Sequence, residues 1–126
     1  MSVRVAAAAA VLLLAALAAG CSGPVHSGVY GIATVGPTCP VERNPPDPGC
    51  ADRAYSGELV LEAADGHAVQ SFHTDAQGAF NVSAAPGTYR VASPDGQTLP
   101  RCSSQDIVVP AGRYVAVAVD CDSGIR

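Results

Sequence analysis

From Gly28 to Asp122 the chain is cut by glycine-, proline- and aspartate-bearing turn signals, one roughly every 8–12 residues. The pieces between them are too short for ordinary helices, and none repeats its apolar residues with a sustained 3.6-residue period. They alternate instead. In "ELVLEA" Leu59 and Leu61 fall on one face, Glu58 and Glu62 on the other. In "AFNVS" Phe80 and Val82 face one way and Asn81 the other. In "TYRVA" Tyr89 and Val91 point inward, Thr88 and Arg90 outward. In "RYVAVAVD" Val115, Val117 and Val119 share a face opposite Ala116 and Ala118. With "GVYGIATVG", "AVQSFHT" and "DIVV" this makes about seven short strands, the pattern of an all-β sandwich.

The first twenty residues obey a different logic. Arg4 precedes an uncharged apolar run from Val5 that ends in Ala18-Ala19-Gly20 before Cys21. The run is shorter than the roughly 20 strongly apolar residues of a spanning helix. It reads as a secretory signal, residues 1–20, removed from the mature chain. Leu17-Ala18-Ala19-Gly20-Cys21 resembles the bacterial lipobox, although Ala18 stands where leucine is usual. That resemblance implies lipidation of Cys21 after cleavage. Residues 21–27 are then a lipidated cysteine and a short polar tether, and residues 28–126 the folded domain. The expected location is the cell envelope, facing the periplasm or the cell exterior. Plain secretion with an unmodified Cys21 is the alternative.

Once Cys21 is set aside, Cys39, Cys50, Cys102 and Cys121 remain, an even number for an oxidising compartment. Cys39–Cys50 and Cys102–Cys121 are the expected pairs among three connectivities. The first brackets "PVERNPPDPG", a loop stiffened by four prolines. The second flanks the last predicted hairpin, "DIVV" to "RYVAVAVD". Setting Cys102 opposite Cys121 centres that hairpin between Ala111 and Gly112 but matches Ile107 to Ala116, a clash of faces that calls for a bulge.

Charge narrows the partners. All seven basic residues are arginines, and the net charge is −4. There is no basic patch for nucleic acid, and attachment to an anionic bilayer would have to come from the lipid.

"TDAQGAFNVSAAPGTYRV", Thr74 to Val91, resembles the signature of carboxypeptidase-regulatory-like domains, through Asp75, Gly78, Phe80, Pro86, Gly87, Tyr89 and Val91. The resemblance implies an Ig-like/transthyretin-like β-sandwich and a non-catalytic accessory role. "GPTCP" (Gly36 to Pro40) and the terminal "CDSGIR" further resemble a narrower set of small exported bacterial proteins. These motifs are structural: the glycines permit turns and the aromatics fill the core.

Candidate chemistry is sparse. His67 and His73, with Asp65 and Asp75 in nearby turns, match no zinc spacing, and Asp turns already account for the aspartates. Glu58 and Glu62 read as a solvated strand face. No nucleophile elbow or Cys-x-x-Cys is present. No catalytic residue, cofactor or metal is expected. The candidate partner-binding element is the disulfide loop with Glu42, Arg43, Asp47, Asp52 and Arg53, since pre-organisation lowers the ordering cost of binding. The functional expectation is a lipid-anchored, non-catalytic domain that binds an envelope protein or polysaccharide. Its alternatives are a purely structural envelope component and a small enzyme or metal-binding protein.

Overall fold

A computed structural model describes residues 26–41 and 43–126. The signal segment and Cys21 lie outside the described residues, and so does Glu42. Nine strands and no α-helix are present among the described residues. They are β1 Gly28–Gly36, β2 Arg53–Ala54, β3 Glu58–Ala63, β4 Ala68–His73, β5 Ala79–Ser83, β6 Gly87–Ala92, β7 Arg101–Ser103, β8 Ile107–Val109 and β9 Tyr114–Asp122. β2 and β7 were not foreseen; they are too short to show alternation.

The strands form one curled mixed sheet in the order β2-β1-β9-β7-β6-β3-β4. β1 and β9 run parallel along their whole length, from Gly28 beside Tyr114 to Gly36 beside Asp122. The other edge of β1 is shared by two antiparallel partners, β5 at Gly28–Ile32 and β2 at Thr34–Val35. On the far side, β6 pairs with β3 on one edge, and with β8 and then β7 on the other. β7 bridges the halves by pairing with both β6 and β9.

The curl encloses a single apolar core. Leu59, Leu61, Val91, Val29 and Val119 are fully buried, with Phe80, Val82, Ile107 and Val109 around them. Phe72 and Phe80 meet as a tilted pair with centroids 5.2 Å apart. The alternations read from β5 and β6 hold: the inward residues are buried or half-buried, and Asn81, Thr88 and Arg90 are exposed. In β3 Leu59 and Leu61 are buried and Glu58 is exposed, but Val60 on the glutamate face is buried and Glu62 half-buried, in a strand paired on both edges. Ser27 belongs to the fold rather than to the tether. It is buried, its hydroxyl donates to the Ala84 carbonyl at 2.6 Å, and its carbonyl accepts the Ala84 N–H at 3.0 Å.

Two expectations are corrected. The last hairpin does not form as a ladder. Cys102 and Cys121 do stand opposite each other, but β8 leaves β9 and pairs with β6, from Gly87–Val109 to Tyr89–Ile107. The switch removes the mismatch, because Ile107 and Val109 turn into the core while β9 keeps its register with β1. Gly87 is not in a strained turn. It opens β6 with no positive φ, and a Cβ there would make only ordinary contact with the Tyr89 ring. Gly78 is different. Its φ is +77°, and a Cβ would collide with the Ala33 carbonyl oxygen.

Candidate functional site

The parallel run of β1 and β9 delivers two sequence motifs to one end of the sheet. β1 ends at Gly36 and leads into "GPTCP"; β9 ends beside it and leads into "DSGIR". The parallel ladder continues one step past the strands, where the Ser123 N–H donates to the Gly36 carbonyl at 3.0 Å. The Ser123 hydroxyl then donates to the Pro37 carbonyl at 2.5 Å and accepts the Ile125 N–H at 3.2 Å. Ser123 therefore fastens the tail to the start of the disulfide loop.

The tail is closed by its own charges. Arg126 donates two hydrogen bonds to the Asp122 carboxylate, at 2.9 and 3.2 Å, and the Gly124 N–H adds a third at 2.9 Å. The Arg126 hydrogen bond and then the Gly124 N–H lower the Asp122 pKa from 3.8 to about 2. The same pairing raises Arg126. Arg126 thus pairs with Asp122, four residues earlier in its own segment. Gly124 takes a φ of +82° against Leu99, where a side chain would strike the leucine.

The loop itself is held at several points. The Cys39 and Cys50 sulfurs lie 2.06 Å apart, at disulfide distance. Asp47 caps the short 3-10 turn Pro48–Cys50 by accepting the Gly49 N–H at 2.8 Å. Thr38 donates to the Ala51 carbonyl at 3.3 Å. Arg43 and Asp47 line an open hollow of about 420 Å³ with Pro46, Pro48, Cys50 and Ala51. Asp52 lies on the other side of the loop, its carboxylate packed where a Gly36 side chain would stand, and Arg53 follows in β2 opposite Val35. The four described candidates thus split into two pairs, Arg43 with Asp47 on the hollow and Asp52 with Arg53 beside β1. The Cys102 and Cys121 sulfurs, 2.03 Å apart, tie β7 to β9 below this end, inside the core.

The turn aspartates and Thr74 are occupied locally. Asp75 accepts the Gln77 and Ala79 N–H groups, and Asp65 accepts that of His67. His67 and His73 are exposed. Thr74, only 5% exposed, donates to the Tyr55 carbonyl at 2.5 Å and accepts the Gly57 N–H at 3.0 Å. Among the described residues no buried side-chain nitrogen or oxygen lacks a partner, and no three His, Cys, Asp or Glu side chains gather as a metal would require. One ion pair escaped the sequence reading: Arg90 donates to Asp106 at 2.9 and 3.1 Å across the β6–β8 boundary. No local signal joins residues so far apart in sequence.

No family model matches the chain, and no curated protein matches it at a significant level.

Proposed function

We propose that this protein is a lipid-anchored, non-catalytic β-sandwich of the bacterial cell envelope that holds a partner-binding end away from the membrane. The observation that carries the reading is the direction of β1. Cys21 precedes Gly28 by seven positions, a reach of at most roughly 25 Å. β1 then runs nine residues to Gly36, roughly 30 Å further along the domain. An anchor on Cys21 sets the Gly28 end towards the bilayer and the Gly36 end, with the disulfide loop and the tail, towards the surroundings. A loop held by a disulfide, prolines and a docked tail binds with little ordering cost. The partner class is an envelope protein or polysaccharide.

The carboxypeptidase-regulatory-like reading belongs to the same proposal. It is supported by Asp75 and Gly78 forming the turn, and by Phe80 and Val91 filling the core. The sandwich reading is supported by the two halves of the curl, with β1 and β9 on one side of the core and β3 and β6 on the other.

Detergent partitioning of the wild type and Cys21→Ser tests the anchor. The wild type should enter the detergent phase and the variant should not. Crosslinking of intact envelope, with residues 40–49 either native or replaced by a Gly-Ser linker, tests the binding end. Saturable capture that the linker abolishes supports it. Absence of any saturable capture assigns the purely structural role instead.

A further inference from the structure

We propose that the outer edge of β4 is a strand-addition site for an extended segment of a partner protein, one that carries a large apolar residue three positions after a basic one. This deepens the partner-binding part of the function above, and rests on it, by committing the partner to a protein. β4 is the last strand in the sheet order and pairs with β3 alone. The Thr74 N–H donates to the Gly57 carbonyl at 3.0 Å, and the antiparallel ladder continues through Glu58–His73, Leu59–Phe72, Val60–Ser71 and Leu61–Gln70. Bonded and non-bonded pairs alternate in such a ladder. Thr74, Phe72 and Gln70 therefore bond to β3, while Ser71 and His73 turn their N–H and C=O groups to the other edge. Both are exposed, and no strand pairs with them there among the described residues.

The edge is unguarded. β4 holds no proline, lysine, arginine, aspartate or glutamate. The register shift beyond Leu61 leaves Val69 without a partner, so the straight open run is residues 70–73. β5, next in sequence, belongs to the other half of the curl and meets β4 through the Phe72–Phe80 pair inside the core. Beside the open run lies an apolar hollow of about 250 Å³. It opens between Val69 and Gln70 on β4 and Ala84 and Ala85 after β5, with Leu61 and Tyr89 behind them. Unpaired backbone donors and acceptors next to such a hollow match an extended peptide, whose backbone bonds to the edge while an alternate side chain is buried. A sugar polymer lacks that backbone repeat.

The register specifies the guest. In an antiparallel guest the residues opposite Ser71 and His73 exchange backbone bonds and lie on the outer face. Those opposite Phe72 and Gln70 lie on the core face, the first against the half-buried Phe72 and the second at the mouth of the hollow. A leucine there buries its side chain. On the outer face Glu58 stands beside His73 in register, exposed and with no cation within ion-pair distance among the described residues. A lysine or arginine opposite His73 reaches it. A second copy of this chain fits less well. Two antiparallel β4 strands would join the copies head to tail, with their Gly28 ends roughly 30 Å apart along the strands, further than the tether reaches from one bilayer.

The probe is a fluorescein-labelled peptide, Thr-Lys-Val-Thr-Leu-Thr, titrated into the purified protein by anisotropy and followed by amide exchange. Saturable binding with slowed exchange at Ser71 and His73 supports the proposal. Replacing the peptide's leucine with alanine should weaken binding about tenfold. Ser71→Pro removes one open-edge donor and no β3 bond, so it should fold and bind about tenfold more weakly. Glu58→Gln should weaken binding about threefold, an effect lost in high salt. A peptide N-methylated on its lysine and its second threonine, whose nitrogens face β4, covers the case in which the proline variant is unstable, and it should not bind. The proposal is overturned if the peptide shows no saturable binding, or if the N-methylated peptide binds equally well. It is also overturned if the protein sediments as a dimer that Ser71→Pro dissociates, because the edge then serves a second copy. If peptide binding fails while loop-dependent envelope capture persists, only the strand site is wrong. If the peptide binds and envelope capture fails, only the envelope reading is wrong.

Discussion

At the Gly28 end the strands are joined by the brief connections 64–67, 84–86 and 110–113; at the Gly36 end they are joined by 37–52, 55–57, 74–78 and 93–100, with the tail 123–126 alongside. The first end combines turn chemistry with a few side-chain bonds: Asp65 accepts the His67 N–H, Tyr89 donates to the Ala85 carbonyl, and Ser83 meets Tyr114. Gly66 and Gly112 have positive φ and open space around them, and Ser27 bonds Ala84. The second end is tied by side chains at each loop: Cys39 to Cys50, Thr74 to Tyr55 and Gly57, Gln97 to Pro100 at 2.6 Å, and Ser123 to Pro37. Connections as long as 37–52 and 93–100 carry more conformational entropy than tight turns, so they hold one shape only when extra bonds restrain them. The difference marks the Gly36 end as the one with a shaped, persistent surface.

The core beneath both ends sets the upper limit of any perturbation. Phe80→Ala should cost about 3–5 kcal/mol through the cavity it leaves, read by urea denaturation. A loss below about 1 kcal/mol would mean that the two halves of the curl are not held together by this core.

The cysteines come next. Cys102→Ala with Cys121→Ala removes a link spanning 19 residues inside the core and should cost about 2–4 kcal/mol. Cys39→Ala with Cys50→Ala removes an 11-residue link in an exposed loop. It should cost less and should chiefly speed proteolysis within residues 40–49. The reverse order would break the comparison, because it would make the exposed loop part of the cooperative core.

Two glycines sharpen it. Gly78 and Gly112 have similar φ, +77° and +81°, but only Gly78 has a neighbour where a Cβ would go. Gly112→Ala should cost about 1 kcal/mol from backbone conformation alone. Gly78→Ala adds a clash with the Ala33 carbonyl and should cost about 2–4 kcal/mol. Equal costs would show that Ala33 yields and that the Gly36 end is softer than its bonding implies.

Surface changes should be small at either end. Arg90→Ala breaks an ion pair whose side chains are 53% and 66% exposed and should cost under about 0.5 kcal/mol. Asn81→Ala should do the same.

The smallest expected effect is local and depends on pH. The folded pKa of Asp122 lies below its ordinary 3.8, at about 2. Its contribution to tail docking is therefore complete above pH 3.8, and is lost as pH falls from there through about 2. Amide exchange at Gly124 and Ile125, corrected for intrinsic rates, should stay constant from neutral pH down to that point and then accelerate. Acceleration already near neutral pH would show that something other than the Asp122 carboxylate fastens the tail.

Much of this architecture is legible in the sequence because it is local. A side chain's face follows from the two-residue period of a strand, so Phe80, Val82, Val91 and Val119 are recognisable as interior without any partner in view. Turn positions follow from backbone sterics, as at Gly66, Gly78 and Gly112. The bracketing of the loop by Cys39 and Cys50 is a matter of spacing along one short segment.

Pairing is a different kind of information. Alternation says which way a residue points, never which strand lies beside it. "DIVV" and "RYVAVAVD" look like a hairpin because they are neighbours in sequence. Only the competition for partners in the folded sheet sends Ile107–Val109 to β6 and commits Tyr114–Asp122 to β1. β2 and β7 exist because a longer strand offers them an edge. The meeting of "GPTCP" with "DSGIR" was decided in the same way, by a parallel ladder whose two strands lie at opposite ends of the domain. Those contacts join residues dozens of positions apart, where no short-range propensity acts and only burial and hydrogen bonding summed over the whole sheet select the outcome.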